Sequence, residues 1–448
     1  MRSLIAIGLV SALAAACGRG PEAPAPPVNV LLLSVDTLRA DHLGCYGYDR
    51  PTSPTLDALA ARGVLFEDAT SPAPSILPAH ASVLTGWYPR RHGARRPRAR
   101  LSADVGVATL AETLAARGLK TAAFVNAAEI SERSGLDRGF EDFVHVFERI
   151  GSAEPSAVWD AAMMWLTKWR EQPFFLFVHT SEVASDYKAM TEYETRFARP
   201  YAGIADGTRR QLLAFRQGRI ALAAADAGRL VDLYDAGIRQ MDDGVARLVR
   251  FMRRLKAFDA TLVVVTSDHG EEFFDHGGVL HGHTLFQEVM RVPFIVLGPG
   301  VPAGRRVTEP VSLVDVAPTI LHALGLASPA GIDGVALQPS WTEPAAREPA
   351  SRAIFAEASG DGGDGEAGGA PIVRAGAVRA VRAGRLKLVY DRATERTALF
   401  DLDADPGERT DIAGARPDST HALRSRLEQF MRDDPPDGRL SSPPATSP

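Results

Sequence analysis

Two aspartates and a histidine stand where two stretches of strand-forming residues end in this 448-residue chain. Asp36 follows the apolar run 30–35, and Asp268 and His269 follow the run 261–266 after one serine. Carboxylate oxygens and imidazole nitrogens together form sites for calcium, manganese or zinc. We therefore predict that Asp36, Asp268 and His269 bind one divalent metal ion, whose identity the sequence leaves open among these three elements.

The loop after the second run favours this prediction over a purely structural explanation. A single aspartate at a strand end is more often a helix N-cap than a metal ligand. Residues 267–283, however, contain four histidines and four acidic residues directly after an apolar run. Folding alone gives little reason for so many polar groups there, and such clusters are typical of functional sites.

The apolar runs that would position these residues alternate with helical patterns. The runs are short, continuous and rich in strand formers, as in strands buried on both faces of a parallel sheet. They cover residues 30–35, 121–125, 174–178, 261–266 and 292–297. With helical patterns between them, including two helices within 209–252, they predict an α/β fold with a large, mostly parallel sheet flanked by helices. Ligands bind outside the carboxyl ends of such strands, where we expect Asp36 and Asp268.

A smaller unit is predicted at the C-terminal end of the chain. We expect the large domain to span residues 29–358 and the segment 359–370, rich in glycine and acidic residues, to be a flexible loop, because it lacks the regular ligand positions of a calcium loop. Alternating strands and a closing helix within 371–432 predict a small α+β subdomain. The segment 433–448, rich in proline and serine, is expected to be disordered.

The N-terminus has the pattern of an export signal. Residues 1–17 combine Arg2, an apolar run and small residues that end at Cys17, which predicts a signal peptide. A cysteine in this position, followed by the proline-rich linker 18–28, is typical of a bacterial lipoprotein, although Ala14 replaces the more usual leucine. We expect export to the bacterial cell envelope with a lipid anchor at Cys17 in the membrane, and a periplasmic or secreted protein as the alternative.

Charge and cysteine content narrow the class of protein further. The chain has 50 basic and 55 acidic residues, a formal net charge of −5, and no long run of one sign, so its composition gives no indication of nucleic-acid binding. Of its two cysteines, Cys17 is the expected lipid site. Cys45 then has no disulfide partner and is expected to be a small buried apolar residue.

Six segments of the chain form an ordered set of motifs: VDTLRADHLGCYGY (35–48), SPTLDALAARGVLFEDA (53–69), LPAHASVLTGWYPRRHG (77–93), SDHGEEFFDHG (267–277), LFQEVMRVPFIV (285–296) and the weaker FDLDADPGE (400–408). Together they resemble the sulfatase family of the alkaline-phosphatase-like hydrolases. The resemblance covers about residues 29–326. It implies an esterase fold that binds sulfate or phosphate esters at a metal ion held by Asp36, Asp268 and His269, while Thr37 stands where many relatives carry a second aspartate.

The resemblance also indicates which residues contact the anion. His80 replaces the family's common arginine, and His281 and His283 stand where relatives bring a basic residue to the anion. Asn126 follows the run 121–125 and is a further candidate contact, with loop capping as the alternative. The implied partner is an anionic ester substrate, a sulfated or phosphorylated glycan, lipid or aryl ester.

Two positions depart from the family pattern. Relatives carry a nucleophile, either formylglycine made from cysteine or serine or else threonine, two positions before the proline that corresponds to Pro78. Ile76 stands there, and its hydrocarbon side chain can neither attack sulfur or phosphorus nor bind a metal, so formylglycine is not expected. Ser75 is the candidate catalytic residue if the loop is shifted by one position. Ala184 occupies the place of a histidine that relatives use to bind the ester or protonate its leaving oxygen.

Three functional hypotheses remain open. The first is a metal-dependent hydrolase of sulfate or phosphate esters, in which Ser75 or a water molecule attacks. The second is a non-catalytic lipoprotein, a pseudoenzyme that holds an anionic glycan or lipid. The third is a transferase of a phosphate-containing head group, against which Ile76 counts. The retained metal ligands favour the first hypothesis, and the loss of the nucleophile and the histidine favours the second.

Overall fold

The structure, a computed structural model, describes residues 28–96, 99–101, 106–150, 156–342, 352–359 and 378–432. The predicted signal peptide, nearly all of the linker, nearly all of the loop rich in glycine and acidic residues, and the C-terminal tail lie outside these ranges. Within them, no helix has both the length and the apolar character needed to span a membrane.

Strands and helices alternate along the described ranges. The strands are β1 (Asn29–Val35), β2 (Val64–Thr70), β3 (Lys120–Val125), β4 (Asp142–His145), β5 (Phe174–Thr180), β6 (Thr261–Ser267), β7 (Glu272–Phe273), β8 (Val279–Leu280), β9 (Arg291–Leu297), β10 (Arg305–Val307), β11 (Val311–Ser312), β12 (Ile354–Ala358), β13 (Val378–Ala383), β14 (Leu386–Asp391) and β15 (Arg396–Asp401). The α-helices are α1 (Pro54–Ala60), α2 (Ile76–Thr85), α3 (Pro89–His92), α4 (Leu110–Ala115), α5 (Val146–Ile150), α6 (Ala157–Trp169), α7 (Thr191–Phe197), α8 (Arg209–Arg216), α9 (Ala224–Arg254), α10 (Gln287–Met290), α11 (Val316–Ala323), α12 (Gln338–Thr342) and α13 (Pro417–Met431).

Among the described residues, nine strands form the large sheet. Its order is β10-β2-β9-β6-β1-β5-β3-β4, with β11 also beside β2. The central strand β1 runs parallel to both β5 and β6, and all seven of its residues are buried. The predicted α/β fold with a mostly parallel sheet is therefore confirmed, as are the two helices expected within 209–252, which are α8 and α9.

One strand of the large sheet runs against the others. β9 is antiparallel to both of its neighbours, β2 and β6. The chain leaves β6 at the carboxyl end, forms the loop 268–290 and returns directly beside β6, and such a connection without a crossover reverses the strand direction. The reversal keeps the whole loop that starts at Asp268 at the carboxyl edge of the sheet.

The alternation of side chains along β1 separates two apolar cores. Leu31 and Leu33 belong to the core that includes residues of α6 and α9, whereas Val30 and Leu32 belong to the core that includes residues of α2 and α11. Successive residues of a strand point to opposite faces, so Ser34 shares the α2 face with Val30 and Leu32. The polar residues at the carboxyl end of β1 thus lie directly above the second core.

The small C-terminal subdomain is an antiparallel sheet in the order β12-β13-β14-β15, with α13 packed against β13 and β14. β12 precedes the predicted boundary at residue 358 but pairs with β13 in the small sheet. The physical reason is that Ala356 and Ala358 of β12 pack with Phe286 and Phe400 in an apolar cluster that only the small sheet completes.

A buried ion pair attaches the small sheet to the loop before β9. Lys387 Nζ lies 2.8 Å from Glu408 Oε1 and donates to the Leu285 carbonyl oxygen at 2.5 Å. Glu408 Oε2 accepts a hydrogen bond from the backbone N–H of Gln287 at 2.6 Å. Both charged side chains are almost fully buried, so each depends on the other for compensation of its charge.

We expect Lys387→Met to lower the free energy of unfolding by about 3 to 5 kcal/mol, because it leaves the Glu408 carboxylate buried without a cation. Urea denaturation measures the change. The matched control is Arg385→Met in the same subdomain, whose side chain is 50% exposed and 3.4 Å from Asp401. The control should change stability by about 1 kcal/mol or less. Equal losses in the two variants would contradict the role of the pair.

His276 makes a second contact between the loop and the subdomain and should give stability a pH dependence. Its Nδ1 lies 2.7 Å from Glu288 Oε1 and its Nε2 lies 3.3 Å from the Glu408 carbonyl oxygen. Burial lowers the pKa of His276, but the hydrogen bond and charge of Glu288 raise it to a value above 6.5.

The protonated His276 ring should therefore contribute fully to the free energy of unfolding below its unfolded-state pKa. This contribution should disappear as the pH rises through its folded-state pKa. We expect the difference in unfolding free energy between wild type and His276→Gln to shrink as the pH rises above about 6.5, the ordinary histidine value. His92 is the control, since burial lowers its pKa to about 3 and the His92→Gln difference should grow as the pH rises from acid. A pH-independent His276→Gln difference would refute the interpretation.

Candidate metal centre

The carboxyl ends of β1 and β6 bring Asp36 and Asp268 together. The two strands are adjacent and parallel, with Val35 paired to Ser267. Thr37 has a positive φ of 59°, and its backbone N–H donates to Asp268 Oδ1 at 3.2 Å. The Thr37 hydroxyl donates to the Asp36 carbonyl oxygen at 2.7 Å. The backbone of Thr37 therefore fixes the turn. Its hydroxyl bonds to a backbone carbonyl oxygen and not to either carboxylate.

Asp36, Asp268 and His269 direct three atoms without hydrogen-bond partners toward one point. His269 Nε2 lies 3.6 Å from Asp268 Oδ2 and 3.9 Å from Asp36 Oδ1. None of these three buried atoms has a hydrogen-bond partner among the described residues. Two ligands of a tetrahedral ion with bonds of about 2.0 to 2.2 Å lie roughly 3.4 Å apart, so the donor set fits a divalent ion.

The protonation states of these groups also suit a cation. His269 Nδ1 lies 3.0 Å from the Gly270 carbonyl oxygen, so Nδ1 carries the proton and Nε2 presents its lone pair, the usual arrangement of a metal-bound histidine. Burial lowers the pKa of His269 to about 4, which keeps the ring neutral near pH 7. Burial and then the charge of Asp268 raise the pKa of Asp36. Two ionised carboxylates at this depth therefore require a positive charge between them.

A cavity of about 760 Å³ opens from Asp36 to the surface. Its wall combines residues of the carboxyl edge with residues of the segments that follow β5 and precede α8. Among the lining residues that matter for chemistry are Asp36, Ile76, Asn126, Ala184, Lys188, Arg209 and His281. Lys188 and Arg209 belong to no motif that the sequence analysis singled out, yet they place two cationic side chains on the wall, together with the acidic Glu129 and Asp186.

Two of the predicted anion contacts lie on this wall. His281 Nδ1 lies 3.0 Å from Glu271 Oε1, and its ring centroid is 4.2 Å from that of His269. Glu271 thus orients His281 beside the metal ligands. Asn126 Oδ1 accepts a hydrogen bond from the Ser181 backbone N–H at 2.9 Å, so Asn126 both ties two strand ends together and lines the cavity.

The other two predicted contacts point elsewhere. His80 is completely buried in α2, with Nε2 2.9 Å from Ser34 Oγ and Nδ1 2.8 Å from the Ile76 carbonyl oxygen. His283 Nε2 lies 2.9 Å from Glu272 Oε2, and His283 is not among the residues that line the cavity. His80 therefore lies below the candidate metal centre, and His283 lies beside it.

The start of α2 decides which residue faces the cavity. The helix begins at Ile76, with Ser75 as the extended residue before it, and the Ala79 N–H donates to the Ser75 carbonyl oxygen at 3.2 Å. Ile76 lines the cavity and Ser75 does not. The catalytic role of Ser75 therefore stays a prediction, with Ser75 as the residue before the helix. Ala184 also lines the cavity, so both departures from the family pattern lie on the wall itself.

Known proteins share parts of this sequence. Homo sapiens N-acetylgalactosamine-6-sulfatase is 29% identical over 358 residues, which cover 72% of this chain and 67% of the relative. Mus musculus arylsulfatase K is 28% identical over 205 residues, covering 44% and 35%. Choline-sulfatase of Rhizobium meliloti (strain 1021) is 34% identical over 183 residues, covering 40% and 32%. The matches to the last two span about a third of each relative's length.

Solved structures share the fold. BT4656, solved in complex with its substrate D-glucosamine-2-N,6-O-disulfate, has a TM-score of 0.72 at 18% identity, covering 93% of this chain and 100% of that chain. The phosphonate monoester hydrolase of Agrobacterium radiobacter has a TM-score of 0.71 at 22% identity, covering 91% and 95%. At such identities the likeness shows the fold, including the small C-terminal subdomain. A family model described as Sulfatase matches residues 28–326, and the chain therefore belongs to the sulfatase family.

Proposed function

We propose that this protein binds an anionic sulfate or phosphate ester at a divalent metal ion and lacks the covalent step of ester hydrolysis. The observation that carries the proposal is the position of Ile76. Its side chain lines the same cavity as Asp36, at the start of α2, where the family pattern calls for a nucleophile. A hydrocarbon group there can exclude water and contact a ligand but cannot form a bond to sulfur or phosphorus.

The described residues have distinct roles in binding. Asp36, Asp268 and His269 would hold the ion, which when bound supplies positive charge that attracts and polarises the ester oxygens. His281, oriented by Glu271 through Nδ1, can donate a hydrogen bond from Nε2 to an ester oxygen when its ring carries both protons. Lys188 and Arg209 add cationic charge to the outer part of the same cavity. Because Glu129 and Asp186 line the same wall, a bound metal ion would supply the charge that favours an anion over a neutral ligand.

The class of ligand is supported by the relatives. One similar structure is described with a sulfated glucosamine as its substrate, and another is a phosphonate monoester hydrolase. Sulfate, phosphate and phosphonate esters share oxygen atoms with negative charge around a central atom, so one centre of this kind can accept each of them. For this chain we propose a sulfated or phosphorylated glycan or lipid.

Hydrolysis without a covalent intermediate is the second candidate function. The specific observation in its favour is that the metal-binding triad is complete, with all three ligand atoms buried and directed to one point. In that case a water molecule would attack the ester and no side chain would be the nucleophile. Loss of the leaving-group histidine, at Ala184, would slow such turnover by about 10² to 10⁴.

We expect Asp268→Asn to weaken divalent-metal binding by about 100-fold or more, beyond the 10- to 100-fold that loss of an outer-shell partner costs. Calorimetric titration with Mn²⁺ and Ca²⁺, followed by 4-nitrophenyl sulfate and phosphate, measures both binding steps. Glu182→Gln is the matched control, since Glu182 is also a buried carboxylate, held by Trp159 and Gln240 away from the triad. Metal and anion binding that survive Asp268→Asn would refute the proposal.

We expect Ile76→Thr to create turnover of aryl phosphate or phosphonate esters in the metal-loaded protein, because it places a hydroxyl on the cavity wall. Wild type should show binding without turnover, and Ser75→Ala should leave binding unchanged, since Ser75 does not line the cavity. Release of 4-nitrophenol under multiple-turnover conditions is the measurement. Wild-type turnover that Asp268→Asn abolishes and Ser75→Ala does not affect would replace the binding function with water-based hydrolysis.

A further inference from the structure

A second cluster of possible metal ligands lies below the first. One ring nitrogen of His80, one of His179 and one carboxylate oxygen of Asp268 lie within 4.8 Å of one another, and all three residues are completely buried. His179 is the last residue but one of β5 and pairs with Ser34 of β1, on the face covered by α2. The ring centroids of His80 and His179 are 4.9 Å apart.

The cluster contains polar atoms that the protein leaves without hydrogen bonds. Neither Nδ1 nor Nε2 of His179 has a hydrogen-bond partner among the described residues, although the ring is completely buried. Buried polar atoms almost always have partners, and an exception calls for a ligand, an ion or a water molecule. Asp268 Oδ2 is likewise without a partner. These atoms therefore mark a place that something outside the protein completes.

His80 is prepared to act as a ligand from this position. Its Nδ1 lies 3.7 Å from Asp268 Oδ2, and its two nitrogens contact Ser34 Oγ and the Ile76 carbonyl oxygen. Because Nδ1 donates to the Ile76 carbonyl oxygen, the lone pair of the neutral ring lies on Nε2, where it accepts from the Ser34 hydroxyl. A hydroxyl such as that of Ser34 can rotate to give up its contact.

We propose that His80, His179 and Asp268 form a second metal site, with Asp268 shared between the two ions. The inference rests on the proposed metal centre, because Asp268 belongs to both. Asp268 Oδ2 lies 3.6 Å from His269 Nε2 on one side and 3.7 Å from Nδ1 of the His80 ring on the other, so this one oxygen lies between the two histidines. Paired metals about 3.5 to 4 Å apart occur in several classes of hydrolase.

The two sites differ in chemistry and therefore in metal preference. The first offers two carboxylates and one histidine, whereas the second offers two histidines and one carboxylate. Imidazole-rich sites favour zinc, and carboxylate-rich sites accept calcium or manganese. The full-length protein should therefore bind two Zn²⁺ but one Ca²⁺ per chain. With two ions the centre would also carry enough positive charge to hold a doubly charged ester.

Metal stoichiometry of the full-length protein tests the proposal. After equilibrium dialysis against Zn²⁺ or Ca²⁺, the metal content per chain should be two Zn²⁺ and one Ca²⁺ for wild type, and one of each for His179→Asn. The asparagine keeps a buried polar group of smaller size, and circular dichroism confirms folding. His92→Asn is the matched control, because His92 is also a completely buried histidine, contacts Ser82 and should leave two Zn²⁺ bound.

Failure of this inference and failure of the proposed function give different results. One Zn²⁺ per wild-type chain that His269→Ala removes would overturn the second site and leave the first intact. Two Zn²⁺ that persist in His179→Asn would also overturn it. No bound Ca²⁺, Mn²⁺ or Zn²⁺ in wild type would overturn the metal centre itself.

Discussion

Two carboxylates side by side at the ends of neighbouring buried strands are the constraint around which the large domain is arranged. Asp36 is 4% exposed and Asp268 is completely buried, and the charge of Asp268 acts on Asp36 to raise its pKa. Burying a like-charged pair is costly unless a cation compensates it. The surrounding groups meet that need only in part: Thr37 contributes a backbone N–H, and His269 contributes a neutral nitrogen.

The helix α2 imposes the second constraint, because its first turn forms part of the cavity wall. Successive helix residues point about 100° apart, so the residue that faces the cavity cannot be exchanged for its neighbour without moving the helix. Apolar residues of α2, among them Leu77, Ala81 and Leu84, belong to the core on this face, which fixes its rotation. That rotation puts Ile76 on the wall and carries His80, one turn later, over His179.

The sequence predicted those strands that a continuous run of apolar residues marks. Continuous apolar runs located β1, β3, β5 and β6, and the residues that end β1 and β6 were placed together because parallel strands share a carboxyl edge. The direction of β9 could not be predicted, since an apolar run reads the same in either direction and only the loop that returns beside β6 reverses it. The position of β12 depended on Phe286 and Phe400, which are distant in sequence.

The directions in which side chains point could not be predicted from the sequence either. His281 and His283 are separated by one residue, yet His281 turns to Glu271 at the cavity and His283 turns to Glu272 away from it. Lys188 and Arg209 reach the cavity from two segments that meet where the Arg209 backbone N–H donates to Asp186 Oδ1, a contact between residues distant in sequence. His179 looked like an ordinary strand histidine, and only its burial without hydrogen bonds distinguishes it.

Retention of the candidate metal ligands and the loss of a nucleophile that we propose have different thermodynamic consequences, so the one does not require the absence of the other. An ion that binds the folded state and not the unfolded chain stabilises the fold in proportion to its affinity, and here it would also neutralise the buried Asp36 and Asp268. A nucleophile gives no such gain, whereas Ile76 packs its hydrocarbon side chain against the core beside α2. The metal centre can therefore be maintained by folding and ligand binding alone, and its presence is weaker evidence for turnover than the identity of the residue at position 76.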